Sequence, residues 1–148
     1  MEKILISACL VGDKCNYAGK SNYTPLINDL LEKYELVPFC SEVEGGLSIP
    51  RKPIEIKNGR CITIEGKDVT KNSELGAEKA YNICMYLGIK VAILKERSPS
   101  CGVHHIYDGS FTHTIIDGQG LTTQYLSKRG IRVLSEEDIP AFLSESNK

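Results

Sequence analysis

The stretch "KVAILKERSPSCGV", Lys90 to Val103, decides the fold and points to the chemistry. Its first half is a continuous apolar run, the pattern of a strand buried on both faces of a sheet. Its second half turns sharply and sets Cys101 between a serine and a glycine, two residues after Pro99. A cysteine on such a turn, just past a buried strand, calls for a reason.

Upstream, Asp68 or Thr70 opens a helix to about Leu87, with Leu75, Ala77, Ala80, Ile83, Cys84 and Leu87 as its apolar face and Gly88 as its stop. Before it, "IEIKNGRCITIEG" carries Asn58-Gly59 between two β-branched runs, a hairpin signal. The first strand is expected over Lys3–Ala8 and the second over Glu35–Phe39. Between them Thr24 and Pro25 start a helix through Leu26, Ile27, Leu30 and Leu31. The segment "CSEVEGGLSIPRKP" holds too many glycines and prolines to be read as regular structure.

Downstream, "HHIYDGSFTHTIIDGQG" reads as short strand or loop, and "LTTQYLSKRG" as a helix ending at Gly130. A last strand, Ile131–Leu134, precedes a short helix begun by Ser135-Glu136-Glu137. Strands alternating with helices define an α/β layered fold: a mainly parallel sheet flanked by helices, with an inserted β-hairpin. No repeat or linker divides the chain, so residues 1–148 are expected to form a single domain.

The hydrophobic share of 41% and charged share of 25% are those of a soluble globular protein. A net charge of −1 gives no broad positive field to grip a nucleic-acid backbone. No run approaches the ~20 apolar residues of a membrane helix, and no basic leader precedes a signal-length apolar region. A cytoplasmic location is therefore expected, where disulfides are rare. Six cysteines in such a chain suggest metal, cluster or thiol chemistry for some of them.

Cys9 ends the first strand, Cys40 ends the second, and Cys101 lies just beyond Lys90–Leu94. Ligands of open parallel sheets bind in the crevice beyond the carboxyl ends of the strands, so these three thiols are placed to converge. Cys84, on an apolar helix face, and Cys61, in the hairpin, read as packing. Cys15 shares the loop of Cys9 and is a lesser candidate. No Cys-x-x-Cys pair exists, so the spacing is wrong for a zinc ribbon. Three thiolates without an evident fourth would leave one iron of a cubane cluster free of protein ligand. Three buried cysteines at strand ends remain an equal reading of the spacing alone.

Glu42 lies two residues after Cys40, and Ser98 three before Cys101: a carboxylate and a hydroxyl suited to activating water or relaying a proton. A solvated loop charge and a turn cap are the plainer readings of the two. His104 and His105 cannot both point one way on an extended segment, and His113 lies further on. Arg51 and Lys95 offer positive charge near the crevice.

Four segments together, "ISACLVGDKCNYAG", "VPFCSEVEGGLSIPR", "AILKERSPSCG" and "IYDGSFT", with "GKDVT" and "GIRVLSE", resemble the thiouracil desulfidase family over nearly the whole chain. The resemblance implies a 4Fe–4S cluster on Cys9, Cys40 and Cys101, and a catalytic pair in Glu42 and Ser98. It implies removal of sulfur from a small thiolated pyrimidine to give uracil and sulfide. A longer relative with an extra domain acts on thiolated tRNA, for which this chain has no room. The chain departs from the family in Cys-Ser-Glu for Cys-Pro-Glu, and in "CNYAG" for an Arg-Tyr-Asp-Gly pattern, which adds Cys15. Two other classes remain open: a thiol-dependent oxidoreductase using Cys101, and a non-catalytic metal-stabilised domain with a closed four-ligand site that binds a small molecule or a partner.

Overall fold

The central strands β1 (Glu2–Ser7) and β5 (Val91–Leu94) are the most apolar runs of the chain and the most deeply buried. In this computed structural model, which describes residues 1–146, they pair in parallel, Ile4 opposite Val91 and Ile6 opposite Ile93. β2 (Tyr34–Phe39) joins the outer side of β1, and β8 (Arg132–Ser135) joins β5, giving the parallel order β2-β1-β5-β8. The expected strands are thus present, each within one residue of its expected start and end.

Side chains alternate across a strand, so each face of this sheet needs its own cover. Ile4, Ile6 and Ile93 pack beneath α1 (Leu26–Leu31) and α5 (Ile139–Ser146), against Ile27, Leu30, Ile139 and Phe142. Leu5, Ala92 and Leu94 face the other way, toward α3 (Thr70–Leu87) and α4 (Leu121–Lys128), meeting Ala80, Cys84 and Leu126. The result is three layers, helix on sheet on helix.

Outside the sheet, β3 (Ile54–Lys57) and β4 (Arg60–Thr63) form the expected hairpin. Asn58 and Gly59 both take positive φ, 52° and 76°, as a tight two-residue turn of primed type requires. A second hairpin, β6 (His105–Tyr107) with β7 (Ile115–Asp117), occupies the stretch read as strand or loop.

Two expectations need correction. The segment after Cys40 is not wholly irregular: Ser41–Glu44 makes one helical turn, α2, stopped at Gly45. On α3, Leu75 is 42% exposed and the buried face is Ser73, Gly76, Ala77, Ala80 and Cys84. Small residues line that face because α2 lies directly on it. A Cβ on Gly76 would strike the Ser41 carbonyl, and one on Gly45 the Asn72 carbonyl.

Candidate active site

The sheet register brings the carboxyl ends of three strands level, with Ser7 beside Phe39 and Ile6 beside Ile93. Cys9 sits in a 3-10 turn, Ala8–Val11, immediately after β1. Cys40 directly follows β2 as the residue capping α2, and Cys101 lies on the loop after β5. Together with Glu42 and Ser98 they line one cleft of about 390 Å3. All five candidate residues therefore meet in one place. Cys15 lines the same cleft, whereas Cys61 and Cys84 are fully buried and do not line it.

The loop carrying Cys101 is held from every side. The Lys95 N–H donates to Ser7 Oγ at 2.9 Å, tying the end of β5 to the end of β1. Arg97 then adopts a left-handed conformation, φ 68°. Glu96 turns inward and is only 2% exposed. Its Oε1 accepts backbone N–H groups from Val103 (2.8 Å), His104 (2.9 Å) and His105 (3.0 Å). Burial pushes this carboxyl up, but the three N–H groups outweigh it and leave it below the ordinary range.

On the far side the loop docks on the start of α4. Leu121 and Thr122 donate N–H groups to the carbonyls of Pro99 (3.0 Å) and Ser100 (2.8 Å). Thr123 Oγ1 donates to the Cys101 carbonyl at 2.9 Å. A Cβ on Gly120 would meet the Ser100 carbonyl carbon, so this approach requires glycine.

Ser98 both caps the turn and faces the cleft. Its Oγ accepts from the N–H groups of Ser100 (3.2 Å) and Cys101 (3.1 Å). With both acceptor positions used, the hydroxyl is left to donate its proton outward.

Glu42 is oriented by Arg51, whose Nη2 lies 2.6 Å from Glu42 Oε2; the two side chains are only 6% (Arg51) and 15% (Glu42) exposed. The same guanidinium donates to the carbonyls of Cys15 (3.0 Å) and Ser48 (3.1 Å). Arg51 thus bridges the loop of Cys15 and the helix of Glu42. The positive charge expected near the crevice is there, and Lys95 joins it on the cleft wall.

Burial pushes the Cys9 and Cys101 thiols up, and nearby acidic groups add to it: the Cys40 thiol acts on both, and Glu42 on Cys101. A raised thiol is the opposite of what an attacking thiolate needs, which counts against Cys101 as a redox nucleophile. One zinc ion with Zn–S near 2.3 Å would draw its sulfurs to within roughly 3.8 Å of one another. Among the described residues, no three thiols form a group of ligand atoms within 4.8 Å; the one such group is Glu96, His105 and Glu137, whose Glu96 already braces the loop. Thiols that share a cleft yet stand this far apart fit a multinuclear iron–sulfur centre better than a single ion.

Several lining residues were not singled out from sequence. Tyr17, Phe39, Tyr107 and Phe111 give the cleft flat apolar walls, and His113 reaches its rim. Phe111 and His113 both have φ of 59°, a left-handed strain that the loop must be held to keep. Glu55, 8% exposed, holds it: Oε1 accepts from the N–H groups of Gly109 (3.0 Å) and Phe111 (3.1 Å). In sequence Glu55 alternates with Ile54 and Ile56 ahead of Lys57, the pattern of a solvent-facing charge, and gives no sign of this role. His104 and His105 point away from the cleft, toward Asp138 (2.8 Å) and Asp117 (3.5 Å).

The architecture is that of an open parallel α/β protein with a thiol-lined cleft at the carboxyl edge of its sheet. Residues 4–138 match the 2-thiouracil desulfurase family, and the chain belongs to it. Its activity class is accordingly that of a thiouracil desulfidase. The Bacillus subtilis (strain 168) protein YbbK, described as uncharacterized, is 37% identical over 146 residues, covering 92% of this chain and 97% of YbbK. The structure of the [4Fe–4S]-dependent thiouracil desulfidase TudS superposes with a TM-score of 0.92 at 40% identity, over 100% of both chains.

Proposed function

We propose that residues 1–148 form one desulfidase domain that hydrolyses the thiocarbonyl of a small thiolated pyrimidine, giving the keto base and sulfide. The observation that carries this reading is the meeting of Cys9, Cys40, Cys101, Glu42 and Ser98 in one cleft at the ends of three parallel strands. Cys9, Cys40 and Cys101 would hold a 4Fe–4S cluster, the cofactor named for TudS. When bound, the cluster supplies a soft Lewis acid that polarises the carbon–sulfur bond.

The chain's own groups do the rest. Flat walls at Phe39, Tyr17 and Phe111 suit a planar ring and exclude water from its faces. Arg51 holds Glu42 Oε2, leaving Oε1 to take a proton from the attacking water. Ser98 donates its hydroxyl proton toward the reacting centre, since its oxygen is already engaged by two loop N–H groups. One water adds its oxygen to the ring carbon and the sulfur departs as sulfide. No electron is gained or lost overall.

We also propose a cytoplasmic site of action; among the described residues no helix is long and apolar enough to cross a membrane. The test is substitution of each ligand: Cys9→Ala, Cys40→Ala and Cys101→Ala should each lose bound iron and 2-thiouracil turnover together. Full turnover in any of the three would remove that residue from the centre.

A further inference from the structure

The carboxyl that braces the Cys101 loop has an oxygen to spare. Glu96 Oε1 is taken by the N–H groups of Val103, His104 and His105. Oε2 is buried, on a residue only 2% exposed, and has no hydrogen-bond partner. Lys95, next to it in sequence, does not answer it: Nζ is committed to Glu136 Oε2 (3.0 Å) and to the Glu96 carbonyl (2.9 Å). The Ser135 hydroxyl favours the charge from nearby but makes no hydrogen bond to Oε2. An ionised oxygen left bare in the interior is costly, and a cation meeting it removes that cost.

Two other ligand groups stand at the same place. A Glu96 carboxyl oxygen, a His105 ring nitrogen and a Glu137 carboxyl oxygen lie within 4.8 Å of one another. They come from three segments: the loop after β5, the first residue of β6, and the 3-10 turn Glu136–Asp138 that follows β8. His105 and Glu137 do not line the cleft of Cys9, Cys40 and Cys101, so the place is distinct from it. Asp117 Oδ1 stands 3.5 Å from His105 Nε2, and a carboxylate beside a ligating imidazole is the usual outer partner that orients the ring. Ligand atoms about 2.1 Å from one ion stand roughly 3–4 Å apart, a spacing that the exposed Glu137 side chain is free to close on.

We infer that Glu96 Oε2, His105 and Glu137 form a second cation site, separate from the thiols, that takes one divalent ion of the manganese-to-zinc series. Two carboxylates and one imidazole are the donors such an ion prefers, and soft thiolate chemistry plays no part. The bound ion fastens the loop of Cys101 to β6 and to the turn after β8. The site stands on its own geometry and does not depend on the desulfidase reading.

The experiment uses the full chain after anaerobic reconstitution, with Mn²⁺ alone as the probe because it favours oxygen and nitrogen over the cleft thiols. Binding is read from the loss of the free Mn²⁺ signal in electron paramagnetic resonance. Wild type should take up one Mn²⁺ per chain, and His105→Ala and Glu137→Gln should each lose it. Both side chains are at least partly exposed, and equal cluster iron in the variants shows that they have folded. Glu42→Gln, in the cleft, should bind Mn²⁺ as wild type does. No uptake by wild type, or equal uptake by all three of wild type, His105→Ala and Glu137→Gln, would overturn the inference. Uptake lost in Glu42→Gln instead would place the ion in the cleft and overturn it too.

A further measurement needs no variant. Pulsed electron paramagnetic resonance of the bound Mn²⁺ should show the nitrogen coupling of a single imidazole. Bound Mn²⁺ without nitrogen coupling would overturn the site as drawn. Saturating Mn²⁺ should also raise the Tm of wild type, since an ion that binds only the folded chain stabilises it. An unmoved Tm at saturation would overturn the fastening role.

Discussion

Replacing Glu96 by glutamine probes the brace that sets the Cys101 loop. Three backbone N–H groups, from Val103, His104 and His105, converge on Oε1 at 2.8, 2.9 and 3.0 Å. Hydrogen bonds to a charged acceptor contribute about 1.5–3 kcal/mol each, and neutral ones about 0.5–1.5. Glu96→Gln keeps an acceptor oxygen but removes its charge, at a cost of about 1 kcal/mol per bond. The three share one atom and are not additive, so the sum is about 2–3 kcal/mol. With a urea m-value of about 1–3 kcal/mol per molar, the midpoint should fall by about 1–2 M.

Acid supplies the check on mechanism. Glu96 is held below the usual carboxylate range in the folded chain. Its contribution is fully present above the unfolded value, about 4.3, and disappears as pH falls through the lower folded value. Wild type and Glu96→Gln should therefore differ at neutral pH and converge in acid. The assay is urea unfolding of the reduced apoprotein across that pH range. A neutral-pH difference below about 0.5 kcal/mol, the scale of an ordinary surface change, would refute the charge-assisted brace.

Four further outcomes are expected. Glu42→Gln should retain the cluster, by iron content and visible spectrum, while turnover falls about 10²–10⁴-fold. Arg51→Ala leaves Glu42 without its partner in a pair whose side chains are 6% and 15% exposed, and should cost about 3–5 kcal/mol in urea unfolding. Gly120→Ala drives a Cβ into the Ser100 carbonyl, and should cost about 1–3 kcal/mol and lower the iron bound per chain. Cys84→Ala, on the buried face of α3, should leave iron content unchanged, which separates cluster ligands from packing cysteines.

Much of the fold was legible because its signals are local. Continuous apolar runs mark β1 and β5, Asn58-Gly59 marks the hairpin turn, and Gly88, at φ 71°, marks the end of α3. That Cys9, Cys40 and Cys101 share one cleft was legible for a topological reason, since strand ends of a parallel sheet share one edge; Glu42 and Ser98 were noted as their sequence neighbours, and line the same cleft. What was missed depends on contacts between distant segments. Leu75 fits a helical apolar stripe, but the backbone of α2 lies against α3, where Gly76 has no space for a side chain. Glu55 and Glu96 look like surface charges in sequence. Each is buried because it satisfies backbone N–H groups of a loop far along the chain or folded back on itself. The aromatic walls come from separate segments that only the folded chain assembles.

The central claim is an iron–sulfur desulfidase centred on three strand-end cysteines, and it is tested most directly by anaerobic reconstitution of the full chain. Iron and acid-labile sulfide are analysed, and 2-thiouracil is then added and followed spectroscopically. The account expects a brown protein with a 4Fe–4S complement that consumes the thiobase and releases uracil and sulfide in equal amounts. A colourless protein that binds no iron, or a fully loaded cluster that leaves 2-thiouracil and 4-thiouracil intact, would contradict it.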